Sequence, residues 1–148
     1  MNQDVRIAGV GMIPFAKPGA SESYDAMGAK AIRAALDDAS LSYADVGQVY
    51  AGFVYGDSCS GQRAAYEVGM TGVPVVNVNN NCSTGSTALF LARQAVMSGV
   101  VECALAVGFE QMRPGALGLA FPDRPSPFER FDAATEDLVQ AEGVPFAL

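Results

Sequence analysis

Histidine and tryptophan are absent from the 148 residues, and cysteine occurs only three times. Without histidine the chain cannot by itself complete a Ser-His-Asp triad, a Cys-His dyad or a histidine-ligated zinc site. Chemistry of that kind must take its base from elsewhere. Basic residues are also scarce, with nine Lys and Arg against 16 Asp and Glu and a formal net charge of −7. A field of that sign repels phosphate backbones and anionic lipid, so no nucleic-acid partner is expected. No apolar run approaches the ~18–20 residues of a membrane-spanning helix, and the most hydrophobic helical stretch is broken by Arg93 and Gln94. Met1 to Gly11 lack the charged leader and long apolar core of a signal peptide. Cys59, Cys82 and Cys103 are odd in number and contain no close pair, which argues against a secreted disulfide framework. A reducing compartment is expected, cytoplasmic by default; a peroxisomal signal of the C-terminal type is not excluded.

What is present fits a folded domain. Half of the residues are apolar, the mean hydropathy is +0.20, and only 17% are charged, too apolar for a disordered chain. Val5 to Val10 is a β-branched run ended by Gly11 and predicts a buried strand. Ser23 is placed to cap a helix over about Tyr24 to Ala39, with Met27, Ala31, Ala34, Ala35 and Leu36 on its apolar side. A strand over Val49 to Tyr55 and a weaker helix around Gln62 to Val68 follow. Val73 to Val78 predicts a strand, Asn79 to Cys82 a turn, Ser83 to Ser98 a helix, and Glu102 to Gly108 a further strand. This alternation predicts an α/β class with a largely parallel sheet and right-handed crossovers.

Residues 1–112 read as one such unit. After Met112 the texture changes, because Pro114, Gly115, Gly118, Pro122, Pro125 and Pro127 interrupt the segment and only Ala133 to Ala141 reads as helix. Loops beyond about 12–15 residues are uncommon inside compact domains and are often functional. Residues 113–148 are therefore expected to stand apart from that unit as a segment that cannot complete a core of its own. The run Val144-Pro145-Phe146-Ala147-Leu148 has neither a helix cap nor a polar tail, and a fragment of a longer protein is expected.

Cys82 stands out by position. It falls where a strand ends and a helix begins, and the free amides and dipole of a helix start favour an anion there. Such a site stabilises a thiolate, and the same amides can hold an oxyanion developing on a thioester carbonyl. A lone cysteine near a helix start is also commonly a small buried hydrophobe, and position alone does not choose between these readings. The following helix combines small residues (Gly85, Ser86, Ala88, Ala92, Ala95) with Leu89, Phe90, Leu91, Val96 and Met97. It is expected to be buried almost all round, with a packing reason for Gly85 in its first turn. Cys59 reads as an exposed or interface loop residue and Cys103 as core. Tyr24, Tyr43, Tyr50, Tyr55 and Tyr66 read as packing.

The stretch Val78-Asn79-Asn80-Asn81-Cys82-Ser83-Thr84-Gly85-Ser86-Thr87-Ala88-Leu89 resembles the nucleophile signature of thiolases. Ala92-Arg93-Gln94, the run Glu102 to Met112, Gly115-Ala116-Leu117-Gly118 and Phe121 to Pro125 are similar to the sterol-carrier-protein-X (SCP2-type) branch of that superfamily. The resemblance covers nearly the whole chain. It implies two similar halves that sandwich helices between two five-stranded sheets, of which this chain supplies the first four strands of the N-terminal half and, in residues 113–148, the start of the loop domain. It implies that Cys82 is the nucleophile and that its backbone N–H is an oxyanion donor. The implied reaction is cleavage of a 3-oxoacyl-CoA with CoA through a cysteine acyl-enzyme, in lipid or steroid side-chain degradation. Coenzyme A enters as substrate, and no cofactor or metal is implied. The family places a histidine in a Gly-His-Pro motif, a second catalytic cysteine in a Cys-x-Gly motif, and a further Asn- or His-containing motif. None occurs in these residues, so the chain alone is expected to be inactive.

The resemblance further implies a homodimer or homotetramer, with Gly61-Gln62-Arg63-Ala64 as the segment that meets the dimer mate; an ordinary solvated turn is the alternative. Arg113, Arg124 and Arg130 offer charge to CoA phosphates, but neighbouring acids outnumber them and a solvated mixed-charge loop fits better. Alternatives in the superfamily are a 3-oxoacyl synthase, a retro-aldolase working with an OB-fold partner protein, and a non-catalytic acyl-CoA-binding subunit.

Overall fold

The computed structural model describes residues 4–114 and 122–142, with the side chains described as far as residue 136. The chain divides into two compact units, Met1–Met112 and Arg113–Leu148.

The first unit is built on a three-stranded sheet: β1 (Gln48–Gly52), β2 (Val75–Val78) and β3 (Ala104–Gly108). The order is β2-β1-β3 and both ladders are parallel. Val49 lies opposite Val75 on one side and Leu105 on the other. Alternation along the strands divides the core. Val49, Ala51, Leu105 and Val107 join one cluster with Ile32, Leu36 and Ala64, whereas Tyr50 and Val78 join a second with Ala88, Ala92 and Ala95. Helices α1 (Tyr24–Ala39) and α2 (Ser60–Tyr66) thus cover one face and α3 (Thr84–Met97) the other. A parallel sheet needs both faces covered, and here both are.

Helix α1 occupies the expected residues. It ends at Ser40 in the left-handed region (φ 54°), with the Leu41 N–H reaching back to the Leu36 carbonyl at 3.0 Å, a Schellman-type close. Its buried stripe differs from expectation: Met27, Gly28, Ala29, Ile32 and Leu36 are buried, while Ala31, Ala34 and Ala35 are only half-buried. The cause is the N-terminal segment. Val5 to Val10 is not a strand of the sheet. Instead the segment runs against α1 so closely that a Cβ at Gly9 or Gly11 would overlap the Ala35 or Ala31 carbonyl. The Val10 N–H donates to Asp38 Oδ2 at 2.8 Å. Ile7, Val10 and Met12 are left exposed. β-Branched residues favour an extended backbone, but a strand requires a ladder partner, and Val5 to Val10 lies on α1 instead. Among the described residues the sheet has three strands rather than four.

The remaining elements fall close to expectation. β1 ends at Gly52, so Val54 and Tyr55 belong to a loop. α2 begins two residues earlier than expected, and a short 3-10 helix over Tyr43–Asp45 carries Tyr43 and Val46 into the core. Gly61 and Ala64 of α2 are buried, so Gly61–Ala64 is not a solvated turn. At Gly61 a Cβ would collide with Ala51 and the Asn77 side chain.

In the second unit α4 (Glu129–Glu142) contains the expected helix and starts earlier. Its entry is tied by the Phe128 N–H to Ser126 Oγ at 3.2 Å, and Arg124 pairs with Asp123 at 3.1 Å. Gly115–Gly118, Phe121 and Val144–Leu148 lie outside the described residues. No helix among the described residues is long and apolar enough to cross a membrane.

Arg63 joins α2 to α1, with Nε 2.9 Å from Asp25 Oδ2 and an i,i+4 contact to Glu67 at 3.1 Å. The Ser23 hydroxyl and then Arg63 hold the Asp25 carboxyl below its ordinary value. A carboxylate depressed by folding contributes stability above its unfolded value and loses it as pH falls through its folded value. Stability is therefore expected to drop below pH of about 4, and less steeply in Asp25→Asn. Urea midpoints measured from pH 6 to pH 2.5 check this.

Candidate active site

In a parallel sheet the carboxyl ends of all strands lie along one edge, where such folds place their ligands. That edge carries three connected features here: the Asn79–Ser83 turn after β2, the loop after β1, and Glu110 after β3.

The turn is held by its own polar side chains. The Asn80 N–H donates to Thr84 Oγ1 at 2.8 Å, and Asn80 Nδ2 donates to Thr87 Oγ1 at 2.9 Å. Thr87 Oγ1 donates in turn to the Ser83 carbonyl at 3.0 Å, and Ser83 Oγ to the Asn80 carbonyl at 2.8 Å. Asn81 adopts a left-handed backbone (φ 48°), and its carbonyl accepts from the Thr84 N–H at 3.1 Å. Gly52 lets this turn approach the sheet: a Cβ there would stand 2.9 Å from the Thr84 carbonyl, whereas one at Gly108 would lie at ordinary contact distance, 3.6 Å from Gly85 Cα. A larger residue at the end of β1 would push the start of α3 outward.

Cys82 is exposed and free. It precedes Ser83, the N-cap of α3, so the helix begins one residue later than the sequence suggests. Cys82 Sγ lies 3.9 Å from Asn81 Oδ1. The amides of Cys82, Gly85 and Ser86 donate to no protein acceptor among the described residues, as expected of a helix start. The position of a Cβ on Gly85 is open space, with no atom within 4 Å. The expected packing reason for Gly85 is therefore not found; the space beside the turn is left empty.

Helix α3 is not buried all round, contrary to expectation. Thr84, Ala88, Ala92 and Ala95 are buried, while Leu89 and Phe90 are 50% and 54% exposed. The physical reason is that one sheet covers only one side of a helix. Ala88, Ala92 and Ala95 face that sheet with Leu91 packed beside them, and Leu89 and Phe90 point away from it.

The three cysteines are not brought together as a site. Cys59 is exposed at the N-cap of α2, in the left-handed region at φ 65°. Cys103 packs beside the core, half-buried, and burial followed by the charge of Asp45 pushes its thiol up. No cluster of three or more His, Cys, Asp or Glu able to hold a metal exists among the described residues. Tyr43 and Tyr50 are core residues as expected, whereas Tyr66 is exposed.

Glu110 escaped the residue-by-residue reading. Its carboxylate accepts the Val54 and Tyr55 N–H groups, each at 2.8 Å, and so clamps the loop after β1 to the end of β3. Phe53 stacks on Phe109 beneath it, with ring centroids 5.3 Å apart, and Phe109 stacks on Tyr24 at 5.5 Å. The available signal was a lone acid directly after a buried parallel strand. Asn77 was also missed: its Oδ1 accepts the Gly61 N–H at 2.9 Å, and its Nδ2 donates to Gln62 Oε1 at 2.7 Å. Strand β2 is thereby fastened to α2.

Comparison with known proteins places this arrangement. The sequence matches the family described as Thiolase, N-terminal domain, over residues 5–141. The chain belongs to the thiolase family. It is 53% identical over 129 residues to sterol carrier protein 2 of Homo sapiens, an alignment that covers 85% of this chain and 24% of that protein. This thiolase-family chain thus spans about a quarter of the length of that relative. Among solved structures, the Ltp2–ChsH2(DUF35) aldolase has a TM-score of 0.60 at 21% identity, covering 89% of this chain and 32% of the solved one. The 3-oxoacyl-[acyl-carrier-protein] synthase III of Aquifex aeolicus has a TM-score of 0.54 at 23% identity, covering 61% and 30%. At these identities both establish the shared fold and nothing finer.

Glu110→Ala is expected to cost about 1–3 kcal/mol for each part-buried amide it leaves unpaired. Glu110→Gln, with one acceptor oxygen, should fall between that variant and the parent. Denaturant unfolding of the three proteins checks the order.

Proposed function

We propose that Cys82 is the nucleophile of a thiolase that cleaves a 3-oxoacyl-CoA with CoA. The observation that carries this reading is an exposed thiol on a rigid turn, beside unpaired helix-start amides and an open space at Gly85. The thiolate attacks the keto carbon, forming a C–S bond. Fission of the adjacent carbon–carbon bond leaves its electron pair on the departing acyl-CoA enolate, which takes up a proton. The thiol of a second CoA, deprotonated by a base, then attacks the Cys82 thioester and displaces the thiolate. The Cys82 N–H holds the thioester oxyanion during that transfer. The acid and base of these steps are not among the residues of this chain, which has no histidine. CoA is substrate, and the chain's role is to hold the nucleophile and part of the oxyanion hole. The thiolase-type acyl transfer is assigned to the whole protein.

The high identity to a protein named sterol carrier protein 2 supports a lipid or steroid side-chain acyl group. Self-association fits the outer strand β2, whose Val76 is exposed and whose Val75 carbonyl accepts from Gln62 Nε2 of α2 at 3.4 Å. A homodimer or homotetramer built on this edge is part of the proposal.

In the intact protein, iodoacetamide is expected to alkylate Cys82 faster than Cys103, whose thiol is half-buried, and faster than Cys59. Incubation with a 3-oxoacyl-CoA should add one acyl mass at Cys82, and Cys82→Ser should abolish both the adduct and turnover. Equal labelling of the three cysteines with undiminished turnover in Cys82→Ser would remove the assignment. Turnover without an adduct, dependent on an added partner protein, would instead identify a retro-aldolase; acyl-CoA binding without turnover would identify a binding subunit.

A further inference from the structure

We infer that Asn81 is the positioning residue for the Cys82 thiol, aiming it through its left-handed backbone and facing it with its side-chain oxygen. The inference rests on the nucleophile reading and deepens it. Asn81 is one of three non-glycine residues with positive φ among the described residues, at 48°. The other two, Ser40 and Cys59, lie at helix ends away from this turn. Left-handed backbone is unfavourable for residues with a Cβ, and asparagine tolerates it better than most. The geometry at Asn81 is imposed by its surroundings: the Asn81 N–H is taken by Asn79 Oδ1 at 3.2 Å, and its carbonyl by the Thr84 amide at 3.1 Å and by Thr84 Oγ1 at 2.5 Å. Thr84 is itself buried against the sheet. The conformation is thus fixed from the core outward, and it directs the next residue away from the sheet, where Cys82 is exposed.

The side chain adds a second action. Asn81 Oδ1, at 3.9 Å from Cys82 Sγ, is the polar side-chain atom within hydrogen-bonding range of the sulfur among the described residues. The uncharged amide oxygen there accepts the S–H and opposes a thiolate only weakly; a carboxylate at the same place would oppose it with a full charge.

Three substitutions separate these actions in the intact protein. The readout is the pH–rate profile of Cys82 alkylation by iodoacetamide, followed by peptide mass, with thermal unfolding as the folding control. Asn81→Ala, which disfavours positive φ, is expected to slow alkylation about tenfold. Asn81→Gly, which adopts positive φ freely, should restore the rate to within about threefold of the parent. Asn81→Asp keeps the shape and should move the profile about one unit to higher pH. Profiles for Asn81→Gly and Asn81→Asp that superimpose on the parent, in folded protein, with Asn81→Ala equally fast, would overturn the inference. Alkylation reports on the free Cys82 thiol whether or not that thiol takes part in turnover, whereas failure of the nucleophile reading appears as turnover surviving in Cys82→Ser.

Discussion

The close approach of the α3 N-terminus to the ends of β1 and β3 is the constraint on which the rest depends. It exists because Gly52 presents no side chain where Thr84 comes down on the sheet. Thr84, buried at that contact, supplies a hydroxyl that gathers both the Asn80 amide and the Asn81 carbonyl. Asn81 is thereby bent into its left-handed backbone and Cys82 is turned outward. The reactive position is set by backbone proximity at the sheet edge, one layer beneath the cysteine.

The same edge is tied together from its other side. Glu110 grips the Val54 and Tyr55 amides, and the Phe53, Phe109 and Tyr24 rings stack below. Charge-assisted hydrogen bonds to amides are among the stronger ones available to a carboxylate. The loop after β1 is therefore anchored where it meets the end of β3, and the edge is built from fixed parts on both sides of the central strand.

Much of this was legible from residue pattern. The three strands, α1, α3 and the turn carrying Cys82 all follow from short apolar runs alternating with helical periodicity. The places that failed share a cause: each depends on contacts that a linear pattern does not contain. Val5 to Val10 has the composition of a strand, but Gly9 and Gly11 let it lie on α1 instead. The apolar residues of α3 predict burial on every side, but Leu89 and Phe90 face away from the one sheet that covers it. Glu110 and Asn77 are ordinary polar residues in the sequence and become structural clamps only once distant amides are folded against them. At the site, the helix-start amides beside Cys82 were foreseeable; the exposure of the thiol, the bend at Asn81 and its control by Thr84 were not.

The parallel ladders carry a consequence for how the chain is made. β1 is the middle strand, yet it precedes both of its neighbours in sequence. At about 5–20 residues per second of synthesis, Val49, Tyr50 and Ala51 leave the ribosome seconds before β3 is available to pair with them. A nascent chain of this order holds the β3 side of its central strand unpaired throughout that interval.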